Sequence, residues 1–188
     1  MTRIVGGTFG GRRLVAPPGA GTRPTSEKVR AALANSLAST GGLDGARVLD
    51  LYAGSGALGL ELISRGAGSA VFVERDRAAL TALRANVTSL GAAGVTVVAS
   101  DVLGFVATVA GGGIGPFDVV LADPPYDLAP QDLVAVLAVL QRVGALAAHA
   151  DVIIERGVKS GEVSWPAPLA GGRVRRYGDT LLCYGRAP

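Results

Sequence analysis

The sequence predicts an α/β fold in which a mostly parallel sheet carries helices on both faces. From Arg47 to about residue 155, short β-branched runs alternate with longer segments of helical periodicity. The connections are short, so successive strands should run parallel and be joined by right-handed crossovers. A glycine-rich turn follows the first strand of the series. In open α/β sheets such a turn lies at the carboxyl ends of the strands, where ligands bind.

The first residues differ in composition from the rest of the chain. Residues 3–22 contain the glycine pairs Gly6-Gly7 and Gly10-Gly11, with short extended pieces between them. So much glycine disfavours a helix, and the spacing indicates a hairpin or arm. We therefore predict two units, a small basic arm over residues 1–24 and one α/β domain over residues 25–188.

A helix should begin directly after the arm, because Thr25 or Ser26 can cap it, and should end near Ser39. An apolar stripe at four-residue spacing would turn one face of this helix to the core. The stripe consists of Val29, Leu33 and Leu37.

The domain should then alternate strand and helix and finish on a hairpin. Two extended runs, residues 173–177 and 180–185, flank Gly178-Asp179, which is typical of a hairpin turn. The other predicted strands are 47–52, 69–74, 94–99, 117–122 and 151–155, and the predicted helices are 57–65, 76–90, 102–109 and 129–142.

The composition indicates one globular unit. At 188 residues, 49% of them apolar, the chain is long enough to bury a substantial core. No apolar run approaches the roughly 20 residues that span a bilayer, and the arginine-rich start lacks the apolar stretch of a signal peptide. The single Cys183 excludes an intrachain disulfide and fits a reducing cytoplasm. With one histidine and one cysteine, we expect no metal, and we expect a monomer.

The net charge of +3 is distributed unevenly along the chain. Residues 1–30 carry +5, residues 31–172 carry −5 and residues 173–188 carry +3. A basic end segment beside an α/β core suggests a polyanionic partner such as nucleic acid. The alternative is that the arginines solubilise irregular termini. The candidate contacts to nucleic acid are Arg3, Arg12, Arg13, Arg23 and Arg30.

Asp123-Pro124-Pro125-Tyr126 is the most informative motif in the chain. It ends the apolar run 119–122, because proline cannot donate to a sheet ladder. The chain leaves the sheet with a carboxylate, proline carbonyls that have no competing N–H, and a flat ring on a stiff loop. This set suits a planar amino group, whose N–H bonds need acceptors and whose ring needs a π-face. The alternative is an ordinary strand exit, since Asp-Pro is a common turn starter.

The turn after the first strand of the alternating series carries a second motif. Gly54, Gly56 and Gly59 match the spacing of a dinucleotide-binding turn, and Glu74 ends the next strand twenty residues after Gly54. Glycines let the backbone approach a ligand, and a carboxylate after the second strand can accept from both ribose hydroxyls. The candidate cofactor contacts are Asp50, Tyr52, Ala53, Gly54, Ser55, Gly56, Leu58, Glu74, Arg75, Asp101 and Val102.

Asp50 distinguishes between two cofactors. It lies four residues before Gly54, where a carboxylate would repel the pyrophosphate of a nicotinamide dinucleotide placed at the turn. It would instead attract a cation such as the ammonium or sulfonium of S-adenosylmethionine. Asp101 follows the third strand and could accept from an adenine amino group. Together with Glu74 and Asp123, these residues put four carboxylates at one edge, where like charges need a ligand or screening.

These features resemble a known group of enzymes. The Asp-x-x-x-Gly-x-Gly turn, the acidic residue closing the second strand, Asp101 and Asp-Pro-Pro-Tyr look like a class I S-adenosylmethionine-dependent methyltransferase acting on an amino nitrogen. More narrowly, the chain resembles the RsmD family of bacterial enzymes, from Arg3 to Arg186. The segments that carry the narrower resemblance are Arg3-Ile4-Val5-Gly6-Gly7, Gly11-Arg12-Arg13-Leu14, Thr22-Arg23-Pro24-Thr25, Lys28-Val29-Arg30, Asn35 and Tyr52-Ala53-Gly54-Ser55-Gly56-Ala57-Leu58-Gly59-Leu60-Glu61.

The RsmD resemblance implies a Rossmann-like fold with a seven-stranded, mostly parallel sheet and a C-terminal antiparallel hairpin. It implies methyl transfer from S-adenosylmethionine to N2 of a guanine in small-subunit (16S) ribosomal RNA, within a small-subunit particle. Asp123 and the Pro124 carbonyl would hold the amino nitrogen on a loop stiffened by Pro125, and Tyr126 would stack on the base. Phe9 stands where the family has Trp, and Tyr126 where Phe is common; both keep an aromatic plane.

Three other functions remain possible at the level of the sequence. A DNA adenine-N6 methyltransferase uses the same tetrapeptide, but such enzymes usually carry an extra recognition region for which 188 residues leave little room. An NAD-dependent oxidoreductase is disfavoured by Asp50. A non-catalytic RNA-binding assembly factor would not need an intact Asp123 and glycine turn. An NTPase is excluded because the chain has no Gly-Lys-Ser/Thr.

Overall fold

A computed structural model describes residues 2–18, 26–110, 114–125 and 128–188. Two predicted site residues, Arg23 and Tyr126, lie outside these ranges and stay predictions. No helix in the described part of the chain is both long and apolar enough to cross a membrane.

The described residues contain nine strands and five α-helices. The predicted alternation is confirmed, and most bounds agree with the prediction within one or two residues. The strands are β1 (Thr2–Arg3), β2 (Arg13–Leu14), β3 (Arg47–Leu51), β4 (Ser69–Glu74), β5 (Val95–Ala99), β6 (Phe117–Ala122), β7 (Leu146–Gly157), β8 (Ala170–Tyr177) and β9 (Thr180–Arg186). The helices are α1 (Glu27–Ser39), α2 (Ala57–Ser64), α3 (Arg77–Leu90), α4 (Val102–Ala110) and α5 (Pro130–Arg142).

Seven of the strands form one sheet in the order β5-β4-β3-β6-β7-β9-β8. The five from β5 to β7 are parallel to one another, whereas β9 runs antiparallel to β7 and β8 antiparallel to β9. The predicted seven-stranded, mostly parallel sheet with a C-terminal hairpin is therefore confirmed. Helices α1, α2 and α3 pack on one face, and α4 and α5 on the other.

The order of the strands reverses beside β3. The chain runs outward from β3 through β4 to β5 and then returns to the other side of β3 with β6. In the register of this pair, Leu51 lies beside Ala122. The glycine turn that follows Leu51 and the Asp-Pro-Pro segment that follows Ala122 therefore leave the sheet side by side, at the crevice where such sheets bind ligands.

Strand β7 is longer than predicted at both ends. Its first residues, from Leu146, are rich in alanine and give little strand signal, yet Leu146 pairs with Phe117 across an irregularity in the ladder. At the other end, Arg156 and Gly157 continue the ladder by pairing with β9. Both ends of β7 are therefore set by pairing with strands that are distant in sequence, which local periodicity does not reveal.

The predicted N-terminal hairpin is confirmed, with β1 antiparallel to β2. Ile4 is fully buried and Leu14 nearly so, and both belong to the apolar cluster under α1 and α2. The backbone N–H groups of Val5 and Gly6 donate to the carboxylate of Glu61, at 2.7 and 3.0 Å. The hairpin is therefore fixed to α2 by buried apolar contacts and by a buried carboxylate.

The contact between the hairpin and the end of α2 requires glycine at position 7. Gly7 has φ +77°, and a Cβ there would lie 1.8 Å from the carbonyl oxygen of Ser64. The N–H of Thr8 donates to that same carbonyl at 2.7 Å, and Ser64 Oγ donates to the Gly6 carbonyl at 2.6 Å. The second glycine of the first pair thus allows the backbone of the arm to lie against a helix.

Replacing Glu61 by alanine should detach the arm. The side chain is fully buried and accepts from Val5, Gly6 and the Nε of Arg65, so the change leaves three donors without their acceptor. We expect the free energy of unfolding to fall by about 2–4 kcal/mol. Trypsin should then cleave faster after Arg12. Urea unfolding and timed proteolysis measure the two effects.

Glu27→Ala is the matched control, because it removes an exposed carboxylate that pairs with Arg3 at 3.3 Å. An exposed pair of this kind contributes less than about 1 kcal/mol. Equal effects of the two substitutions on stability and on cleavage would mean that Glu61 does not hold the arm.

Candidate active site

The glycine turn bends sharply between β3 and α2. Tyr52 has φ +61°, a conformation that L residues rarely adopt, and Gly54 and Gly56 have φ +57° and +78°. A Cβ at Gly56 would lie 2.3 Å from Leu83 Cδ1. Gly56 caps α2 without a side-chain hydrogen bond, so the cap itself offers no side-chain acceptor to the N–H groups of Ala57 and Leu58. A non-glycine residue with positive φ, such as Tyr52, is found more often at ligand-binding sites than elsewhere.

Asp50 lies under this turn and is buried, with 3% of the residue exposed. Its Oδ2 accepts from the N–H of Gly59 at 3.0 Å. Burial raises the pKa of Asp50 from 3.8 to about 7; the Gly59 hydrogen bond opposes this rise, and the charges of Asp123 and Glu74 add to it. A buried carboxylate beside two others attracts a cation, as the sequence predicts for this position.

Glu74 joins the end of β4 to the glycine turn. Its Oε2 accepts from the N–H of Gly54 at 2.8 Å, and its Oε1 accepts from the N–H groups of Arg75 and Asp76, both at 2.8 Å. These three bonds fix the carboxylate at the edge of the crevice. A carboxylate has about four acceptor positions, so one remains for a ligand.

Asp101 caps α4, since its Oδ1 accepts from the N–H of Gly104 at 2.8 Å. It is exposed, and its charge also reaches the hydroxyl of Tyr52. Burial raises the pKa of Tyr52, the charges of Asp132 and Asp101 raise it further, and that of Arg75 lowers it. The structure therefore gathers predicted residues from the ends of β3, β4 and β5 around Tyr52, together with Asp132 of α5.

Asp123 and Pro124 border a cleft on the other side of β3. Ala122 pairs with Ile154 of β7, so the loop leaves the sheet beside Glu155. The carbonyl of Pro125 accepts from the N–H of Leu128 at 3.0 Å. The residues lining the cleft are Asp123, Pro124, Glu155, Arg156, Gly157, Ser160 and Thr180.

The described arginines of the arm lie in different surroundings. Arg3 is exposed and pairs with Glu27 at 3.3 Å, and Arg13 is exposed. Arg12 donates to the carbonyls of Leu90, at 3.1 Å, and Ser89, which end α3. A cation suits the last turn of a helix, so Arg12 also fixes the arm to the domain.

Arg30 corrects the sequence analysis. We expected a contact to nucleic acid, but this side chain is 1% exposed and donates to the carbonyl of Arg3 at 2.7 Å. Burial lowers the pKa of Arg30, and the charges of Glu61, Glu27 and Glu155 oppose that change. The residue lies on the buried stripe of α1 rather than on its basic surface.

Asn86 is a residue that the sequence analysis missed. It is 1% exposed, and its side chain exchanges two hydrogen bonds with the backbone of Val15, at 2.7 and 3.0 Å. It also donates to the carbonyl of Ser55 at 2.9 Å, so one amide joins the exit of the arm to the glycine turn. The sequence does give one indication that Asn86 is buried: it lies between Leu83 and Leu90 on the apolar stripe of α3.

Among the described residues there is no cluster of His, Cys, Asp or Glu that could hold a metal ion.

Comparison with known proteins gives consistent matches over nearly the whole chain. The model of the family described as Conserved hypothetical protein 95 matches residues 2–186. Ribosomal RNA small subunit methyltransferase D of Escherichia coli K12 is 38% identical over 165 residues, which are 88% of this chain and 79% of that protein.

Two solved structures share the fold at comparable identity. The Escherichia coli protein yhhF, described as a proposed methyltransferase, superposes with a TM-score of 0.84 at 34% identity, covering 98% of this chain and 97% of that one. A hypothetical protein of Thermus thermophilus, TTHA0928, gives a TM-score of 0.80 at 33% identity, covering 98% of both chains.

The raised pKa of Asp50 predicts that the stability of the ligand-free protein falls as the pH rises. The folded protein keeps this proton up to about pH 7, whereas the ordinary value of the carboxyl is 3.8. Between these values the folded state binds more protons, so the free energy of unfolding should decline from about pH 4 to pH 7 and level off above. A shift of this size corresponds to at most about 4 kcal/mol. Urea unfolding across this range measures it.

Asp50→Asn keeps an acceptor for the N–H of Gly59 and removes the ionisation, so the difference between wild type and variant isolates the effect of Asp50. Asp44→Asn, at an exposed carboxylate, controls for the loss of one negative charge. The explanation is wrong if Asp50→Asn shows the same decline as wild type.

Proposed function

Because this chain belongs to the family described as Conserved hypothetical protein 95, the RsmD family, we propose that it transfers a methyl group from S-adenosylmethionine to the exocyclic N2 of a guanine in small-subunit ribosomal RNA. The relative from Escherichia coli is named a small subunit ribosomal RNA methyltransferase, and the alignment covers most of both chains. The guanine, its amino nitrogen and the RNA particle as substrate are our inferences.

One observation carries the proposal: Asp50 under the glycine turn and Asp123 ahead of the two prolines meet at the point where the strand order reverses. Their charges interact, and Asp50 is buried between the turn and α2. The first carboxylate suits a cationic cofactor and the second suits an amino group. A methyltransferase acting on nitrogen needs both groups side by side, whereas a dinucleotide-dependent dehydrogenase has no use for a buried carboxylate under its pyrophosphate.

The residues of the turn fit S-adenosylmethionine. We assign Asp50 to the ammonium of the cofactor, the remaining acceptor position of Glu74 to its ribose, and Asp101 to its adenine amino group. The first N–H groups of α2 suit its carboxylate, because a helix start favours an anion. When bound, S-adenosylmethionine supplies a methyl group already activated on a sulfonium.

The protein then has to hold an amino nitrogen in line with that methyl group. The lone pair of the guanine amino group is delocalised into the ring. Hydrogen bonds from its N–H groups to Asp123 and to the Pro124 carbonyl would hold the nitrogen and favour a tetrahedral geometry. Positioning of this kind accounts for a large share of catalysis when the electrophile is already activated. Tyr126 would stack on the base after it leaves its neighbours.

The N-terminal arm is proposed as the part that contacts RNA, with residues 25–188 holding the cofactor. Its hairpin is fixed to α2 and α3, so the exposed Arg3 and Arg13 lie at defined positions rather than on a loose tail. Contacts from arginine to phosphate give affinity and register, so the base would be specified at the crevice. We propose that the protein acts as a monomer in the cytoplasm, on a small-subunit particle.

The direct test is methyl transfer from labelled cofactor to naked ribosomal RNA, small-subunit particles and DNA in parallel. Mass spectrometry of the digested product then identifies the methylated base and its position. Label on N2 of one guanine supports the proposal. Label on adenine N6 in DNA would favour the adenine methyltransferase, and RNA binding without transfer would favour an assembly factor.

Asp123→Ala should abolish most turnover and leave the affinity for S-adenosylmethionine within about threefold. The lost acceptor concerns the amino group of the target, and one positioning or electrostatic contact of this kind is worth about 10²-fold or more in rate. Single-turnover transfer with saturating RNA measures the rate, and calorimetry measures cofactor binding. Asp118→Ala, at the other end of the same strand, is the matched control. Near-normal turnover by Asp123→Ala would exclude Asp123 from catalysis.

Replacing Arg13 by glutamine should weaken binding to RNA. Loss of one phosphate contact reduces the slope of log affinity against log salt by about 1, and we expect KM for the ribosomal substrate to rise about 3- to 10-fold. Arg12→Gln combined with Arg13→Gln should have a larger effect, because Arg12 also fixes the arm. Filter binding at several salt concentrations measures both variants.

The control for this experiment is Arg142→Gln, which removes an exposed arginine from α5 on the opposite face of the sheet. Its salt slope should match that of wild type. If the Arg13 variants behave in the same way, the arginines of the arm only solvate it and RNA binds elsewhere; the exposed Arg175 and Arg176 of β8 would then be the next candidates.

A further inference from the structure

We propose that Glu155 selects guanine as the target by accepting hydrogen bonds from the N1–H and N2–H donors of the base, an inference that rests on the proposed function. Asp123 then holds the second hydrogen of the amino group. Two carboxylates thus divide the donor edge of guanine, one to recognise the base and one to position the reacting nitrogen.

The register of the sheet brings the two carboxylates together. Ala122 of β6 pairs with Ile154 of β7. Asp123 directly follows Ala122, and Glu155 directly follows Ile154. Neighbouring strands lie about 4.8 Å apart, which is close to the separation of two acceptors that each hold one hydrogen of the same amino group. Both residues line the same cleft, as does Pro124.

The side chain of Glu155 lies on the same face of the sheet as Asp50. In β7, Ile153 packs in the apolar cluster under α1 and Ile154 packs in the opposite one, so alternation directs Glu155 to the face of α1. The same argument for Val48 and Leu49 in β3 directs Asp50 to that face. A base held at the cleft is therefore on the same side as the proposed position of the cofactor ammonium.

The buried guanidinium of Arg30 interacts electrostatically with Glu155. Arg30 of α1 is 1% exposed, and the charge of Glu155 is one of those that favour its guanidinium. The attraction is mutual, so the Glu155 carboxylate, which accepts hydrogen bonds when ionised, has a buried cation beside it. Glu155 is itself 8% exposed, so a base that turns a lone pair toward it would set two acceptors against each other away from water.

The chemistry of the bases explains the selection. Guanine presents N1–H and both hydrogens of N2 as three adjacent donors. Adenine presents its amino group beside the lone pair of N1, which would face the Glu155 carboxylate and be repelled. A site built from buried acceptors rejects a ligand that lacks the matching donor far more strongly than an apolar pocket does. The pair of carboxylates therefore suits guanine and disfavours adenine, even though both bases carry an amino group.

The test uses 2-aminopurine at the mapped target position of the RNA. This base keeps the amino group at C2 and replaces N1–H by a lone pair. We expect wild type to favour guanine in kcat/KM by about 100-fold or more. Glu155→Gln can donate its amide to the bare N1, so the preference should shrink at least about tenfold. The intrinsic reactivity of the two amino groups is the same for both enzymes and cancels in this comparison.

Glu162→Gln is the matched control, because Glu162 is exposed and does not line the cleft; it should keep the preference of wild type. Calorimetry with S-adenosylmethionine checks that Glu155→Gln folds and binds. An unchanged preference in a folded Glu155→Gln overturns the proposal. Equal use of the two bases by wild type overturns it too, whether or not the variant folds. Failure of the proposed function is a separate result, in which wild type methylates no guanine in any RNA.

Discussion

The hydrogen bond between the buried carboxylate of Asp50 and the N–H of Gly59 is the contact on which the rest of the structure depends. It draws α2 onto the sheet so closely that a Cβ at Gly59 would lie 2.4 Å from Phe72 Cε1. Because α2 sits there, Glu61 and Ser64 are placed to hold the N-terminal hairpin. One carboxylate thus fixes the glycine turn directly and the arm indirectly. The same burial makes the carboxylate reluctant to ionise until a cation arrives.

The crevice concentrates negative charge, and the described arm carries positive charge. Asp50, Glu74 and Asp123 interact electrostatically at the carboxyl ends of the strands. A buried carboxylate close to two half-buried ones is unfavourable without a cation, so the site is less stable than a site made of neutral groups would be. A cationic cofactor and a base that presents donors would each relieve part of this repulsion. The acidity of the crevice and the basicity of the arm therefore correspond to two different ligands.

Local periodicity made the strands and helices predictable from the sequence. The carboxylates at the strand ends could also be located, because parallel strands bring their carboxyl ends to one edge. Arg30 was assigned wrongly because it neighbours Lys28 in a basic run, whereas its burial depends on the distant Glu61 and Glu155. Asn86 and Glu155 were missed for the same reason, since their roles depend on pairings between segments far apart in sequence. The roles of Tyr126 and Arg23 stay predictions.

The buried side chain of Asn86 connects the N-terminal arm to the glycine turn through hydrogen bonds. Its single amide holds Val15, where the chain leaves the arm, and Ser55, in the glycine turn. The two segments are forty residues apart in sequence, yet neither can rearrange without breaking a bond to the same buried group. Coupling between two binding sites is reciprocal. On the proposed function, binding of the cofactor at the turn and binding of RNA at the arm would therefore be linked equilibria, joined through one buried side chain.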